Sequence, residues 1–495
     1  MKAAQLGVTE AAVNRAFFTL DKLRRDVLYL MPTDNNATDF SKARFSIALS
    51  LSPYLRSLFT DTNAVHIKQT STNTLYIRGA KGKSNLKSVA VALLVLDEVD
   101  EMDPKAVWLA FERLSGQKEG QKNVLGISTP TIPNYGIHKL FLTSTQEHYF
   151  FTCPHCDKLT ELIWPDCFEL LGETISDPRC KDSFIKCKEC KQRLEHNAKQ
   201  YWLANGVWVP SETNANPEEA RGFYVNQLYS STVSPGDLAI AYHRGVGDEA
   251  AMKEFHNSKL GLPFIGHDAQ ITDEMIDACI RTHSNNDLPP ENSIITMGVD
   301  QGKWCHVSIV EWLRGEDMKT KDINQVAIAK LLHFTKFYEE DWDRLCELMR
   351  IWQIRACVID ADPQINEARR FARKFHGYVW LCRYRRGLQS REVAVTEEDT
   401  GSPMATVDRT NWMSATFSRF KTKPPRIWLP KDLSDEYREH IKSPVRTYEK
   451  DEHGNPRAVY LETGADHFAH SLNYAEIGLY FAAQMLSGQN IANIF

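Results

Sequence analysis

The sequence lacks long apolar segments. Nowhere in its 495 residues does an apolar run approach the roughly 20 residues that a transmembrane helix requires. Its N-terminus also has no apolar core of a signal peptide. A large excess of one charge is missing too, because the formal net charge is −5, which argues against a protein that coats nucleic acid by overall attraction. These absences predict a cytoplasmic protein that does not act in a membrane.

Disulfides are not expected, although the sequence contains 11 cysteines, because a cytosolic chain of this size keeps its thiols reduced. With 42% hydrophobic and 25% charged residues, the composition is that of a globular protein. The length exceeds that of one ordinary core, so two or three domains are expected. Basic residues are bunched at 369–374 and 383–386, where they either track a phosphate backbone or form a solvated helix face.

Short apolar runs alternate with helical patterns in the first 130 residues. Apolar spacing predicts helices over 10–25 and 40–59. Strands are predicted at 27–30, 74–77, 92–96 and 124–127. This alternation is typical of an α/β domain with a mainly parallel sheet.

The run Ala92–Glu98 is the most informative of these segments, because five apolar residues lead directly to two carboxylates. A buried strand with this ending can place Asp97 where it holds hydrated Mg²⁺ and Glu98 where it polarises an attacking water. The alternative is a solvated acidic turn. We favour a site that binds and hydrolyses a nucleotide.

A phosphate-binding loop should then precede a helix. The standard Gly-x4-Gly-Lys-Ser/Thr string is missing, but residues 2–9 read Lys-Ala-Ala-Gln-Leu-Gly-Val-Thr and lead into the first predicted helix. Gly7 would let backbone N–H groups approach phosphates, Thr9 could ligand Mg²⁺, and the Lys2 ammonium could fold back onto the β- and γ-phosphates. Alone, the segment is explained as well by an ordinary helix N-cap; with Asp97 and Glu98 it predicts a P-loop fold.

Residues 126–130, Gly-Ile-Ser-Thr-Pro, end another predicted strand in small hydroxyl side chains. Thr129 and its neighbours could sense the γ-phosphate and couple hydrolysis to motion. A simple Ser-Thr-Pro turn is the alternative.

Two C-x2-C pairs, Cys153 with Cys156 and Cys187 with Cys190, are separated by 30 residues. Four thiolates at this spacing can surround Zn²⁺ tetrahedrally. Such a closed site has no open coordination position, so we expect a role in folding or docking and not in catalysis. Reduced structural cysteines or a redox pair are the alternatives.

A second set of carboxylates follows a predicted linker at 286–292. The order there is β-β-β-α-β, with strands at 294–299, 305–312 and 326–333, a helix at 341–352 and a strand at 355–360. Asp300 and Asp360 end the first and fourth strands, and Asp466 opens the last long helix. This is the layout of ribonuclease-H-like nucleases, in which carboxylates hold two divalent metals, Mg²⁺ or Mn²⁺.

Each of these aspartates could alternatively cap a helix or form a turn. Asp362 is a possible substitute for Asp360. His467 and His470 could add a ligand or a proton shuttle, although surface or core histidines are the plainer interpretation. The polar segment 386–404 is expected to be a mobile loop.

In this order, the motifs resemble those of the large terminase subunit of tailed bacteriophages, in the lambda-like branch. The resemblance rests on the loop 2–9, Asp97-Glu98, Ser128-Thr129-Pro130, the paired cysteines, Gly222–Leu228 and the acids in the C-terminal half. It covers nearly the whole chain. It implies an ATP-driven translocase of double-stranded DNA that also cuts concatemeric DNA, in the cytoplasm of the bacterial host.

The resemblance also implies the site residues and partners. Glu98, Asp300, Asp360 and Asp466 would be catalytic. ATP would be bound by Lys2, Gln5, Gly7, Val8, Thr9, Asp97 and Thr129. The expected partners are the small terminase subunit and the portal of the procapsid, on which the chain would form a homo-oligomer. Four regions are predicted: an ATPase domain at 1–145, a zinc-ribbon-like insertion at 146–210, a lid and linker at 211–290, and a ribonuclease-H-like nuclease domain at 291–495.

One departure from the family concerns the phosphate loop. Lys2 follows Met1 directly, whereas family members carry a strand before this loop, so we expect an N-terminally truncated ATPase domain. Gln5 also stands where many relatives have arginine. Two alternatives therefore stay open: a metal nuclease with a degenerate ATPase half, and a zinc-bearing DNA-binding scaffold.

Overall fold

The computed structural model describes residues 1–59, 62–81, 89–118, 120–266, 268–290, 293–314, 327–385, 387–388, 391–397, 402–450 and 456–486. The chain divides into two compact units, Met1–Gly266 and His267–Phe495. Among the described residues, no helix combines the length and the apolar character needed to cross a membrane.

The first unit contains a six-stranded sheet with the order β2-β3-β4-β1-β5-β6. Its strands are β1 Val27–Met31, β2 Thr62–Asn63, β3 Ile67–Gln69, β4 Thr74–Gly79, β5 Leu93–Asp97 and β6 Asn123–Ile127. Strands β4, β1, β5 and β6 are parallel, which confirms the predicted α/β class. All residues of β1 and β5 are buried, as continuous apolar runs require when both faces of a sheet are covered.

The helices that accompany this sheet are α1 Val8–Asp21, α2 Asp34–Phe40, α3 Ile47–Leu51, α4 Pro53–Leu58, α5 Pro104–Phe111 and α6 Gly136–Leu142. The single helix predicted over 40–59 is divided. Ser52 is extended, its side chain accepts a hydrogen bond from the Leu55 N–H, and Pro53 begins the next helix. Proline cannot continue the hydrogen-bond ladder of the preceding helix, which explains the break.

Residues 147–254 form smaller sheets and short helices. The strands are β7 Glu147–Thr152, β8 Leu159–Thr160, β9 Phe168–Glu169, β10 Phe184–Lys186, β11 Arg193–Leu194, β12 Val207–Pro210 and β13 Phe223–Tyr224. The helices are α7 Lys199–Trp202, α8 Pro235–Gly245 and α9 Glu249–Glu254. One sheet has the order β11-β10-β9, and the other has β12-β7-β13 with β8 paired to β7.

A lysine is buried in this region. Lys199 is 1% exposed, and its Nζ donates to the Ser230 carbonyl at 2.5 Å. Burial lowers the pKa of its ammonium to about 7. Below that pH the folded chain carries the buried positive charge, which lowers its free energy of unfolding by the full cost of burying the charge.

We expect the free energy of unfolding to rise with pH between about 7 and 10.5 because of Lys199. In this window the unfolded chain keeps the lysine proton and the folded chain has released it, so the slope approaches about 1.4 kcal/mol per pH unit. Denaturant unfolding of the wild type and of Lys199→Met at several pH values measures this slope as the difference between the two proteins. If the free energies of unfolding of the wild type and Lys199→Met change with pH in parallel, the Lys199 ammonium is solvated in the folded chain and the expectation is wrong.

The second unit begins with α10 Asp273–Cys279 and contains an eight-stranded sheet with the order β19-β20-β18-β17-β14-β15-β16-β21. Its strands are β14 Ile294–Asp300, β15 Trp304–Arg314, β16 Ala327–Tyr338, β17 Ala356–Asp360, β18 Val379–Tyr384, β19 Val393–Glu397, β20 Pro403–Val407 and β21 Ile427–Trp428. A separate hairpin joins β22 Pro444–Lys450 and β23 Pro456–Glu462. The helices that follow α10 are α11 Trp342–Ile351, α12 Ile365–Lys374, α13 Arg409–Lys421, α14 Asp435–Lys442 and α15 His467–Leu486.

The predicted β-β-β-α-β order is confirmed by β14, β15, β16, α11 and β17. Strands β14 and β17 are parallel neighbours, whereas β14–β15 and β15–β16 are antiparallel. Helix α15 lies directly on β14, since a Cβ at Gly298 would meet the Ser471 carbonyl oxygen at 1.8 Å. The Thr296 hydroxyl also donates to the Ala475 carbonyl at 2.8 Å. This close approach fixes the start of α15 beside the end of β14.

The prediction of a mobile loop over 386–404 is wrong for the part that the structure describes. Strand β19 lies within it and pairs antiparallel with β20. Val393 and Val395 alternate with smaller or polar residues, as in an edge strand. The polar composition of the segment obscured this two-residue period in the sequence. Residues 386, 389–390 and 398–401 lie outside the described part of the chain.

Candidate active sites

The carboxyl ends of the parallel strands in the first unit carry the predicted nucleotide residues. Asp97 is the last residue of β5 and is 2% exposed. Glu98 follows in the left-handed region with φ 62°, and its N–H donates to the Ile127 carbonyl at 2.9 Å. Burial raises the pKa of both carboxyls, and the nearby Lys2 charge offsets part of that shift.

Tyr29 is a site residue that the sequence did not reveal. Its hydroxyl donates to Asp97 Oδ2 at 2.6 Å. The other oxygen, Asp97 Oδ1, is buried with no hydrogen-bond partner in the described part of the chain. An orphaned carboxylate oxygen of this kind fits a hydrated Mg²⁺ ion. Tyr29 looks like a core residue in the sequence, because it lies within an apolar strand.

The segment 2–9 lies against this edge. Lys2 Nζ is 3.8 Å from Glu98 Oε1, and the Lys2 N–H donates to the Ser128 carbonyl at 3.1 Å. Gly7 occupies the N-cap position of α1 with φ 75°, a conformation that favours glycine. The turn therefore places the first N–H groups of α1, at Val8 and Thr9, immediately after a loop that carries a lysine.

The same segment is held from its other side by residues of 222–258. The Ala3 N–H donates to the Val225 carbonyl at 2.8 Å, and the Ala4 N–H donates to the Ser258 carbonyl at 2.8 Å. Gln227 Nε2 donates to the Ala4 carbonyl at 2.9 Å. The structure thus brings together the loop and the Gly222–Leu228 motif, while Gln5 is exposed with φ 58°.

The Ser-Thr-Pro segment is tied to the acidic strand end through Asp100, a second residue that sequence reasoning missed. Ser128 Oγ accepts from the Asp100 N–H at 3.2 Å. The Asp100 carboxylate accepts from the Thr131 N–H and hydroxyl, each at 2.8 Å, and from the Ile137 N–H at 2.7 Å. Burial raises the pKa of Asp100 to about 6, although these donors act in the opposite direction. Thr129, predicted to contact nucleotide, is half-buried beside this network.

The four predicted cysteine ligands come together. Their Sγ atoms all lie within 4.8 Å of one another, and each of the 11 cysteines is a free thiol. The two pairs have matching geometry, because the residue after each second cysteine, Asp157 or Lys191, has φ near 60°. The N–H groups of His155 and Glu189 point at Cys153 and Cys187 sulfurs, respectively. Four convergent sulfurs with N–H support fit a structural Zn²⁺.

In the second unit, Asp300 and Asp360 end adjacent parallel strands, as predicted. Burial raises the pKa of Asp360 to about 6, and the charge of Asp300 adds to the shift. Gln301 links the two strand ends, since its Nε2 donates to the Asp360 carbonyl at 2.5 Å. Asp362 is instead exposed and forms an ion pair with Arg383 at 3.0 Å, whereas Asp360 is half-buried at the end of the strand next to that of Asp300.

Two histidines join Asp300. Ligand atoms of Asp300, His306 and His467 all lie within 4.8 Å of one another. His467 Nδ1 is 2.8 Å from Asp300 Oδ2, and this hydrogen bond raises the pKa of His467. The sequence named His467 only as a less favoured candidate and did not single out His306.

Asp466 belongs to a second group, with Glu462 and His470, whose ligand atoms also lie within 4.8 Å of one another. All three contact one nitrogen of Arg409: its Nη2 is 2.8 Å from Glu462 Oε1, 3.4 Å from Asp466 Oδ2 and 3.2 Å from His470 Nε2. Burial acts to raise the pKa of Asp466, but the hydrogen bond from His470 and the charges of His470 and Arg409 hold it below its ordinary value. Of the three predicted acids, Asp300 therefore lies in one ligand group and Asp466 in the other, and Asp360 belongs to neither.

The first unit has the fold of a P-loop-type ATPase domain, and the second has a ribonuclease-H-like fold with acids at two strand ends. Two family models match the chain. Residues 1–208 match the phage terminase large subunit gpA ATPase domain, and residues 220–485 match the terminase large subunit gpA endonuclease domain. The chain belongs to the phage terminase large subunit gpA family.

A curated relative is the terminase large subunit of Escherichia phage lambda, which is 22% identical over 331 residues. The match covers 61% of this chain and 51% of the relative, so the chain spans about half the length of the curated relative that it matches.

Solved structures are similar to the chain at lower sequence identity. The HK97 bacteriophage large terminase has a TM-score of 0.48 and 11% identity, with coverage of 96% of this chain and 89% of that chain. The large terminase nuclease from thermophilic phage G20c has a TM-score of 0.25 and 14% identity, with coverage of 41% and 94%, respectively.

Proposed function

We propose that the chain acts as a DNA-packaging terminase, which hydrolyses ATP to move double-stranded DNA and cuts concatemeric DNA with divalent metal ions. The observation that carries the proposal is the occurrence of buried carboxylates at the ends of parallel strands in both units. We assign the ATPase to residues 1–145, a zinc-binding insertion to 146–210, a lid and linker to 211–290, and the nuclease to 291–495; the part of the linker from residue 267 onward belongs to the second compact unit.

At the nucleotide site, Asp97 would hold hydrated Mg²⁺ through the carboxylate oxygen that Tyr29 leaves free. Glu98 accepts a proton from the attacking water, and its raised pKa makes it a stronger base than an exposed glutamate. Lys2, Gly7 and the first N–H groups of α1 are placed to neutralise phosphate oxygens. Gln5, Val8, Thr9 and Thr129 complete the proposed nucleotide contacts.

At the nuclease site, Asp300, Asp360 and Asp466 are proposed to hold Mg²⁺ or Mn²⁺. The bound ions would activate water and stabilise the leaving oxygen of a phosphodiester. Asp300 and Asp360 share one edge of the sheet, and Asp466 immediately precedes His467, which bonds to Asp300. For Asp466 to serve an ion, its carboxylate must exchange the Arg409 guanidinium for that ion.

We also propose that Cys153, Cys156, Cys187 and Cys190 bind one structural Zn²⁺. Four thiolates so close together repel one another unless a cation or protons neutralise them. The metal would tie the loop after β7 to the loop after β10, and so would add to the apolar core of this region.

Replacing Cys187 with serine is expected to remove the bound zinc and to unfold the insertion, because structural zinc contributes about 10–16 kcal/mol to such folds. Elemental analysis of the purified chain gives the zinc content, and limited proteolysis reports cleavage within 146–210. Cys180→Ser is the matched control, since Cys180 lies outside the four-sulfur group and its thiol donates to the Thr174 carbonyl. Full zinc content in Cys187→Ser would contradict the assignment.

The test of the whole proposal is to measure two activities of the purified chain: ATP hydrolysis with and without linear DNA, and Mn²⁺-dependent linearisation of supercoiled DNA. Both are expected. Cleavage without ATP turnover would favour the metal nuclease with a degenerate ATPase half, and neither activity would favour a zinc-bearing scaffold.

The proposed partners are inferred from the family alone. They are double-stranded DNA, the small terminase subunit and the portal of the procapsid, on which the chain would act as a homo-oligomer in the host cytoplasm. Co-migration of the purified chain with isolated portal rings in a sedimentation gradient measures one of these contacts directly.

A further inference from the structure

We propose that Asp300, His306 and His467 form a binding site for one divalent transition-metal cation, such as Mn²⁺, that binds Mg²⁺ more weakly. The proposal deepens the nuclease assignment and rests on it for the role of Asp300. It adds two imidazole ligands to a pocket that was assigned on carboxylates alone.

The three side chains converge because of how the strands pair. Asp300 and His306 are directly opposite each other in the antiparallel β14–β15 ladder, which puts their side chains on the same face of the sheet. His467 is the first residue of α15, which lies on β14. One potential ligand atom from each residue lies within 4.8 Å of the other two, a span that one cation can bridge.

His306 provides an independent sign that a ligand is needed. It is 4% exposed, and its Nδ1 has no hydrogen-bond partner among the residues that the structure describes. A buried ring nitrogen without a partner is costly. Its ring stacks on that of His467, with centroids 4.6 Å apart and planes 12° apart, so the two imidazoles already face the same space beside Asp300.

The ligand types of Asp300, His306 and His467 determine which cation the site prefers. One carboxylate and two imidazole nitrogens favour first-row transition metals, whereas Mg²⁺ prefers oxygen ligands and keeps its own waters. The other ligand group, Glu462, Asp466 and His470, already surrounds the Arg409 guanidinium. We therefore expect one tight transition-metal site per nuclease unit when DNA is absent.

The test is Mn²⁺ titration of the full chain without ATP or DNA, followed by electron paramagnetic resonance of free Mn²⁺, and repeated against excess Mg²⁺. The wild type is expected to prefer Mn²⁺ strongly. His467→Gln and His306→Gln are each expected to weaken Mn²⁺ binding by about tenfold or more, with a smaller effect on Mg²⁺. The preference for Mn²⁺ should therefore fall.

His440→Gln is the matched control. Its ring lies 5.5 Å from that of His306 and 5.6 Å from that of His467, but it is outside the ligand set. It should leave Mn²⁺ affinity unchanged. The side chain of His467 is 48% exposed, so His467→Gln tests the proposal even if the buried His306 variant fails to fold.

Unchanged Mn²⁺ affinity in His467→Gln would overturn the proposal and would leave His467 as a hydrogen-bond partner that positions Asp300. This failure is distinguishable from failure of the nuclease assignment. If the wild type binds Mn²⁺ as expected but does not cleave DNA, the metal site is supported and the nuclease assignment is wrong. If the wild type cleaves DNA but both histidine variants bind Mn²⁺ with unchanged affinity, the nuclease assignment is supported and the metal site is wrong.

Discussion

Asp360→Asn is expected to lower the rate of metal-dependent DNA cleavage by about three orders of magnitude. The substitution keeps the shape of the side chain but removes the negative charge that the proposed ions need, and the loss of several kcal/mol of transition-state stabilisation corresponds to that factor. Cleavage of supercoiled DNA under single-turnover conditions measures the rate. ATP hydrolysis by the same variant should be unchanged, because Asp360 lies in the other compact unit.

Asp362→Asn is the control for this experiment, because it makes the same chemical change two residues later. Asp362 is exposed and pairs with Arg383, and ion pairs of this kind contribute little. Its cleavage rate should stay within about threefold of the wild type, a change of less than 1 kcal/mol. A large loss in Asp362→Asn with normal cleavage by Asp360→Asn would exchange the roles of the two aspartates.

Glu98→Gln is expected to lower ATP hydrolysis by about 10²- to 10⁴-fold, the range that a positioned general base contributes. The amide cannot accept the proton from water, but it occupies the same volume, so nucleotide binding should persist. Steady-state phosphate release gives kcat, and binding of a fluorescent nucleotide gives the Kd. A kcat loss with a nearly constant Kd is the expected combination.

Glu101→Gln makes the same change three residues further along the chain, where the side chain is exposed. We expect normal hydrolysis from it. If both glutamine variants hydrolyse ATP at the wild-type rate, Glu98 is not the base. If Glu98→Gln also loses nucleotide binding, its contact with Lys2 is structural and the kinetic effect does not report on catalysis.

The carboxylates at strand ends could be predicted from the sequence because their strands are buried on both faces. Such strands are continuous apolar runs, and a carboxylate immediately after one is a strong local signal. Asp97, Asp300 and Asp360 were found this way, and the cysteine pairs were found from their spacing.

The partners of these carboxylates could not be predicted, because they depend on tertiary contacts. His306 faces Asp300 only through the register of β14 and β15. Tyr29 and Asp97 are 68 residues apart in the chain. Arg409 reaches Glu462 across 53 residues. A signal did exist for His470, because its i,i+4 spacing from Asp466 places both on one face at the start of a helix.

The guanidinium of Arg409 acts as a counterion for Glu462 and Asp466 when no divalent ion is bound there. Acidic pockets that depend on an exchangeable cation are left with mutual repulsion when a chelator removes it. Here the neutralising charge is covalently part of the chain, so these two carboxylates have a positive partner again once a divalent ion is removed. The nuclease unit should therefore withstand metal depletion that would dismantle a four-thiolate cluster.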